Sequence, residues 1–427
     1  MQITKQNRHL PVVAACMVGT VLSVTPVITM TFGLFLIPVS RDFHWTRAAV
    51  SGGLLILCLV TAASYAMAGR LADRYGARRL VVPGALMLAL AIAALSLSNG
   101  NIFLFYLMFA LIGLAGSLPS TMMFSRVISG WFDERRGLML GVTAGIGNGV
   151  GASLMPFVAM LLMRHFGWRG AYLGLGCCVA VFSFPVLLLL LREEGHGRRI
   201  VEQPAARSGL SFVEAVATPV FWVILVAVAL GAGCMTAIIS HIVPMLSGRA
   251  VPLAVSVSIM STLSATCALW QIAMGWLMDR SRSPRIMAPF YCAALVGLPL
   301  LQSGSLPVLI AGGVLIGIGM GAEYGALPYV ISRYFGLRAY GAIAGVMYAA
   351  VIVAQGMTPL LMDISYGRTG SYAISIYAMG AALAVGTLLL ALLKPYANGP
   401  LGLKAAGLPL AVSRNTQARV MPAGLGS

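Results

Sequence analysis

Long apolar runs separated by short polar or basic stretches divide this 427-residue chain into twelve segments. They lie at roughly 12–38, 48–68, 80–99, 102–126, 137–163, 170–191, 218–246, 251–278, 286–303, 306–332, 341–362 and 370–393. Each reaches or approaches the ~20 residues that a helix needs to cross about 30 Å of hydrocarbon. Several hold Gly or Pro inside, which membrane helices tolerate better than soluble ones. The pattern predicts an all-α membrane protein with twelve transmembrane helices.

Composition excludes the soluble alternative. Of the residues, 59% are hydrophobic and 9% charged, against about 25% charged in a typical soluble domain. The net charge of +17 would suggest nucleic acid in a soluble chain, but here position explains it. With the N-terminus inside, 22 of the 28 Lys and Arg fall in cytoplasmic segments and six outside, as the positive-inside rule requires. Both termini are then cytoplasmic. No basic stretch is interleaved with aromatics, so nucleic-acid binding is not expected. The seven cysteines sit in apolar segments without a CxxC pair, which points to core residues and to neither a metal site nor a cofactor. The first apolar run lacks an A-x-A-like cleavage site and is expected to stay as the first helix.

The chain repeats itself. "AGRLADRYGARRL" (68–80) aligns with "MGWLMDRSRSPRI" (274–286), placing Gly69 on Gly275, Asp73 on Asp279 and Arg74 on Arg280 at an offset of 206. Pro38 and Pro244 share that offset. "VISGWFDERRG" (127–137) matches "VISRYFGLRAY" (330–340) at 203, and "FGWRGAY" matches "YGRTGSY" at 200. The expected domains are a six-helix half over 1–191, a linker over 192–217, a second half over 218–395 and a tail over 396–427. Parallel halves related by an axis along the membrane normal suit a carrier that rocks around a midplane site.

The loop "GRLADRYGARR" resembles the signature loop of the major facilitator superfamily, matching at Gly69, Leu71, Asp73, Arg74, Gly76 and Arg78. "TFGLFLIPVSRDFHWTRAAVS", "WFDERRGLMLGVTAGIGNGVG" and "RYFGLRAYGAIAGVMYA" resemble the branch of monocarboxylate transporters and oxalate:formate antiporters. The resemblance spans about residues 10–395 and implies that the loop closes the cytoplasmic side, with Asp73 meeting a helix N-terminus. Arg70, Arg74, Arg78 and the second copy, Asp279 and Arg280, complete this gating set. The plainer reading is a positive-inside loop whose Asp solvates its arginines.

Glu323, in "GIGMGAEYGALPYV", is the acidic residue placed near a segment centre; the other ten fall in loops, segment ends or the linker. Burying a lone carboxylate costs several kcal/mol, so it suits a proton-coupling group, or alternatively a structural pair with Arg126 or another helix, or a protonated Glu donating to a backbone carbonyl. His241, Asn148 and the hydroxyls Thr20, Ser23, Thr25, Thr29 and Thr31 either face the cavity or satisfy their own surroundings. The glycines of the fifth segment, spaced by four, suit close helix packing.

One departure from the branch bears on the substrate. The resemblance implies a carboxylate-holding arginine four residues before the loop glycine of the eighth segment; before Gly275 that position holds Gln271. A glutamine hydrogen-bonds an anion without neutralising it. Gln355 stands in the eleventh segment, and Trp270 offers a stacking face. The expectation is a monomeric, proton-coupled carrier of a weakly charged, aromatic or neutral metabolite in a bacterial-type cytoplasmic membrane. Its solute ligands would be Gln271, Trp270, His241, Gln355, Thr29 and Asn148. An efflux pump for apolar compounds shares the same fold.

Overall fold

The polar interruptions are where the helices of this computed structural model begin and end. It describes residues 3–132, 139, 142–193, 209–281, 283–336 and 339–395. Thr46 accepts from the backbone N–H of Ala49 at 3.2 Å and starts the helix Arg47–Tyr75. Asn101 accepts from Phe103 and Leu104 ahead of Ile102–Gly116. Thr218 accepts from Phe221, with Pro219 opening Pro219–Ser247. Each cap satisfies a donor that the first turn leaves without a helical partner. Gly76, at φ 88°, turns Arg47–Tyr75 into Ala77–Ala94.

Among the described residues ten helices are long and apolar enough to span a bilayer, and a shorter apolar helix covers Pro284–Leu300. One of the ten, Gly147–Leu190, has 44 residues. Straight, it would run roughly 66 Å at 1.5 Å per residue, twice a bilayer core. Gly167, at φ 65° and ψ −177°, breaks it into two. The described residues therefore form twelve crossings, as the hydropathy pattern predicts. The first is interrupted by a π-helical turn at Thr25–Thr29, which has Pro26 in its first positions. The tenth covers Leu306–Phe335 and the eleventh Tyr340–Thr369. The eleventh runs seven residues past the end that hydropathy assigns it, and this corrects one reading. Asp363 lies inside a crossing and is 1% exposed.

The first six crossings and the last six form two halves that meet along a seam. The second crossing packs on the eleventh, the fifth on the eighth and the first on the seventh. Exchanging the halves maps the first of these pairs onto the second and the third onto itself. Glycines of the fifth crossing supply the close approach expected of them. A Cβ on Gly149 would strike Ala268 of the eighth crossing, and one on Gly151 would lie 2.5 Å from the carbonyl of Val21 in the first. On the outer face Phe103 and Tyr377 are 80% and 78% exposed, as lipid-facing side chains are. The linker's described end is fastened to the second half. Leu210 N–H donates to Phe335 O at 2.8 Å, ahead of the short helix Phe212–Val216 with its Ser211–Glu214 capping box. The tail over 396–427 lies outside the described residues.

Candidate functional site

The seam is closed at one end of the bundle, named here for Arg47. Ser51 of the second crossing donates to Asp363 Oδ2 of the eleventh. His241 Nε2, from the seventh, lies 3.1 Å from the same oxygen, off the line of a good hydrogen bond. His241 Nδ1 is 2.9 Å from Ala237 O, and the His241 side chain is fully buried. Arg47 donates to the Tyr372 hydroxyl, and its guanidinium stands 4.1 Å over the Tyr366 ring. The two tyrosine rings are 4.4 Å apart. A buried ion is tolerated where partners replace its water, and here those partners come from both halves.

The contacts continue to mid-depth. Gly356 of the eleventh crossing packs on Cys58 and Leu55 of the second. Between the fifth and eighth crossings, Ser261 donates to Ser153 O at 2.9 Å, and Gly145 faces Ile272. Beyond that depth lies the end that carries Arg74. Gly69, Gly275 and Gly345, on the second, eighth and eleventh crossings, face no atom within 4 Å where a Cβ would stand.

The expected solute ligands lie on the first, fifth, seventh, eighth and eleventh crossings. Backbone packing of Gly321 against Cys267, Trp270 and Gln271 fixes the tenth crossing on the eighth. Trp270 sets its ring edge-to-face on Phe290 at 5.4 Å, and its buried indole N–H has no partner among the described residues. Gln271 Oε1 points toward Gly145 of the fifth crossing. Gln355 donates to the Tyr324 hydroxyl at 2.6 Å. Asn148 donates to Thr121 at 3.3 Å and leaves its own carbonyl oxygen unpartnered. Thr29 is half-buried at the end of the π-helical turn. Thr20 and Thr31 donate to carbonyls of their own helix, Cys16 O and Val27 O. His241 stands apart from this group, engaged at the closed end.

Glu323 is 1% exposed but does not sit on the seam. Its Oε2 accepts from Tyr291 of the ninth crossing at 2.7 Å and lies against Gly231 of the seventh. Its Oε1 has no hydrogen-bond partner among the described residues. Arg126, the alternative partner weighed for it, is exposed.

At the Arg74 end, the side chains of Arg70, Asp73 and Asp279 lie outside the described residues. Arg74, Arg78 and Arg280 are exposed. Arg78 donates to Leu188 O at 2.9 Å, and Arg280 stacks on Trp276 at 3.8 Å. The acid found on a helix N-terminus is one the sequence reading left in the linker. Glu193 accepts from Ala77 N–H at 2.6 Å, capping the third crossing. Among the described residues no group of three His, Cys, Asp or Glu could hold a metal.

Known proteins with this pattern are transporters. The Major Facilitator Superfamily profile matches residues 16–359. Monocarboxylate transporter 11 of Homo sapiens is 27% identical over 373 residues, 82% of this chain and 74% of that protein. Monocarboxylate transporter 12-B of Danio rerio is 25% identical over 419 residues, 89% of this chain and 85% of that one. Among solved structures, a bacterial homologue of the human lysosomal transporter Spinster superposes with a TM-score of 0.67 at 17% identity, covering 89% of this chain and 95% of its own. That likeness bears on the fold. On its match, its twelve crossings and its paired halves, the chain is a multi-pass membrane transporter of the Major Facilitator Superfamily.

Proposed function

We propose that this transporter carries a small organic solute by exposing a site between its halves first to one side of the membrane and then to the other, with a proton as coupling ion. The observation that carries this reading is the uneven seam. It is joined from Ser51–Asp363 down to Gly145–Ile272, and toward the Arg74 end there is open space beside Gly69, Gly275 and Gly345. Two rigid halves touching at one end only are what a rocking cycle leaves in one of its two states. The basic Arg74 end is cytoplasmic on the positive-inside rule, so both termini are cytoplasmic and the solute site here opens inward. A bacterial-type inner membrane and a monomer suit the composition and the self-contained halves. In the opposite state the Asp73 loop closes the Arg74 end.

The solute is a weakly charged or aromatic carboxylate-type metabolite. The relatives' names point to monocarboxylates, while Gln271 supplies amide hydrogen bonds in place of a charge. Trp270, Gln271, Gln355, Asn148 and Thr29 are its ligands, and Glu323 carries the proton. One observation favours an exporter of apolar compounds instead: the aromatic surroundings of Trp270, with Phe290 beside it.

Counterflow in liposomes tests both. Purified protein should exchange at least one labelled monocarboxylate or aromatic acid above protein-free vesicles, faster with the outside made acid. Exchange confined to an apolar dye would replace this reading by the export reading, and indifference to ΔpH would remove the proton. Gln271→Arg should shift selectivity toward small monocarboxylates through charge-assisted hydrogen bonds. An unchanged profile in that variant places Gln271 outside the site.

A further inference from the structure

Two helix ends leave a hollow at the Arg74 end of the bundle. The third crossing begins there at Ala77, and the sixth ends there at Leu190. Between them lies a cavity of about 460 Å³ lined by Arg78, Arg79, Val82, Pro83, Leu188 and Glu193. Its polar wall is basic. Arg78 donates to Leu188 O, which ties it to the sixth crossing. Arg79 is exposed and has no hydrogen-bond or ion-pair partner among the described residues. Glu193 does not cancel them, because its carboxylate accepts from Ala77 N–H at 2.6 Å, at the positive end of the helix dipole. Val82, Pro83 and Leu188 form the apolar wall, and it continues beyond the hollow. Leu86, Met87 and Leu90 follow Val82 and Pro83 at the three- and four-residue spacing that keeps side chains on one helix face. They are 37%, 50% and 63% exposed. Trp131 donates to Arg192 O at 2.8 Å, next to Glu193 in the chain. Indoles of membrane proteins sit at headgroup level, so the hollow lies where hydrocarbon gives way to water.

We infer that this hollow binds one anionic phospholipid of the surrounding leaflet. Arg79 and Arg78 take its phosphodiester, and its acyl chains leave over Val82, Pro83 and Leu188 along the strip of Leu86, Met87 and Leu90. A guanidinium offers paired N–H donors that match two phosphate oxygens. Basic pockets between membrane helices on the cytoplasmic side take anionic headgroups on the same physics. A zwitterionic lipid brings a cation of its own against the arginines and is disfavoured. A free phosphate or soluble phosphoester shares the headgroup chemistry but has nothing to set against the apolar wall, so the two-sided lining favours the lipid. The site needs only the membrane crossings and the third–sixth contact; it makes no use of the solute site or of how that site opens.

The test titrates the full chain, purified in detergent, with dioctanoyl phosphatidylglycerol and counts bound lipid by native mass spectrometry. One phosphatidylglycerol should bind ahead of any others, and dioctanoyl phosphatidylcholine should bind there about fivefold more weakly or worse. Arg79→Gln breaks no contact of the fold. It should weaken phosphatidylglycerol about fivefold, the worth of one basic side chain at an anionic surface, and Arg78→Gln added to it should bring the loss to about 25-fold. If the double variant fails to fold, the single one decides. Equal affinity for the two lipids, or wild-type affinity in Arg79→Gln, overturns the proposal. Arg333→Gln removes another exposed charge from the same end and should bind as wild type does; a loss equal to that of Arg79→Gln there means general attraction with no site in the hollow. Glycerophosphoglycerol, the same headgroup without acyl chains, should not compete even in large excess. Competition by it overturns the lipid and leaves a soluble phosphoester as the ligand.

Discussion

Asp363 and Glu323 are buried to the same degree, each about 1% exposed, and they are built in opposite ways. Asp363 is held by Ser51 from the other half and by His241 from its own. Glu323 is held within one half, by the Tyr291 hydroxyl and the backbone surface of Gly231. A buried charge costs several kcal/mol unless it is partnered. Where a partner lies across the seam, that cost changes as soon as the halves separate. Where all partners lie within a half, a rigid rocking motion leaves the cost unchanged. In the proposed cycle Asp363 is therefore sensitive to which end is open, whereas Glu323 responds only to rearrangement among the seventh, ninth and tenth crossings.

The largest effect should come from breaking the cross-seam cluster. Asp363→Ala leaves the Ser51 hydroxyl without its acceptor and a fully buried His241 without the carboxyl beside it. Removing one member of a buried ionic pair typically costs about 3–5 kcal/mol. A large fall in thermal stability is expected, together with greater exchange at the Arg47 end. Restoring a hydrophobic contact by the double change Asp363→Leu with His241→Leu should recover part of that stability, since an apolar pair leaves no charge uncompensated. Equal melting temperatures for wild type and Asp363→Ala would mean that the cluster does not hold the halves together.

Glu323 predicts a smaller and more local effect. A Cβ on Gly231 would meet Glu323 Oε2 and the Tyr291 hydroxyl closer than real Cβ contacts come. Gly231→Ala must move one of them, and overpacking of this kind costs about 1–3 kcal/mol. The comparison is sharpened because exchange at the Arg47 end should not rise. Stability lost together with increased opening there would show that the two acid sites are coupled.

The contrast also shows what the amino-acid pattern could reveal. Glu323 stands out because seventeen residues before it and nine after it in its apolar run carry no charge, and its burial follows directly. Its place inside one half was not legible, because that depends on which crossing Gly231 and Tyr291 face. Asp363 escaped because hydropathy ends the eleventh run at residue 362, where polar residues thicken. The helix continues to Thr369, carried by tertiary partners, Ser51 and His241, that a sliding window cannot see. The paired halves were legible from the repeated loops, because equivalent backbone turns demand equivalent Gly and Asp. Glu193 was hidden for the opposite reason. In a basic linker it reads as one more surface charge, and only the fold brings it to the N-terminus at Ala77. Gln271 was picked out by its place four residues before Gly275, and Trp270 and Gln355 on residue type; what brings Trp270 and Gln271 against the tenth crossing is Gly321, and Gln355 reaches that crossing through Tyr324.

The smallest structural effect with the most to say about coupling belongs to Glu323→Gln. The carboxamide keeps the shape of the side chain and an oxygen to accept from Tyr291, so folding should change by no more than about 1 kcal/mol, the worth of one hydrogen bond. What it cannot do is gain and lose a proton. If Glu323 carries the coupling proton, the variant should still exchange labelled solute across the bilayer at close to the normal rate. It should fail to concentrate that solute when ΔpH is imposed. Glu323→Asp, which keeps a titrating group on a shorter stem, should retain part of the accumulation. Should the Gln variant accumulate solute as well as wild type, Glu323 serves only to join the seventh, ninth and tenth crossings. The coupling would then fall to the one other buried carboxyl among the described residues, Asp363 with His241 beside it.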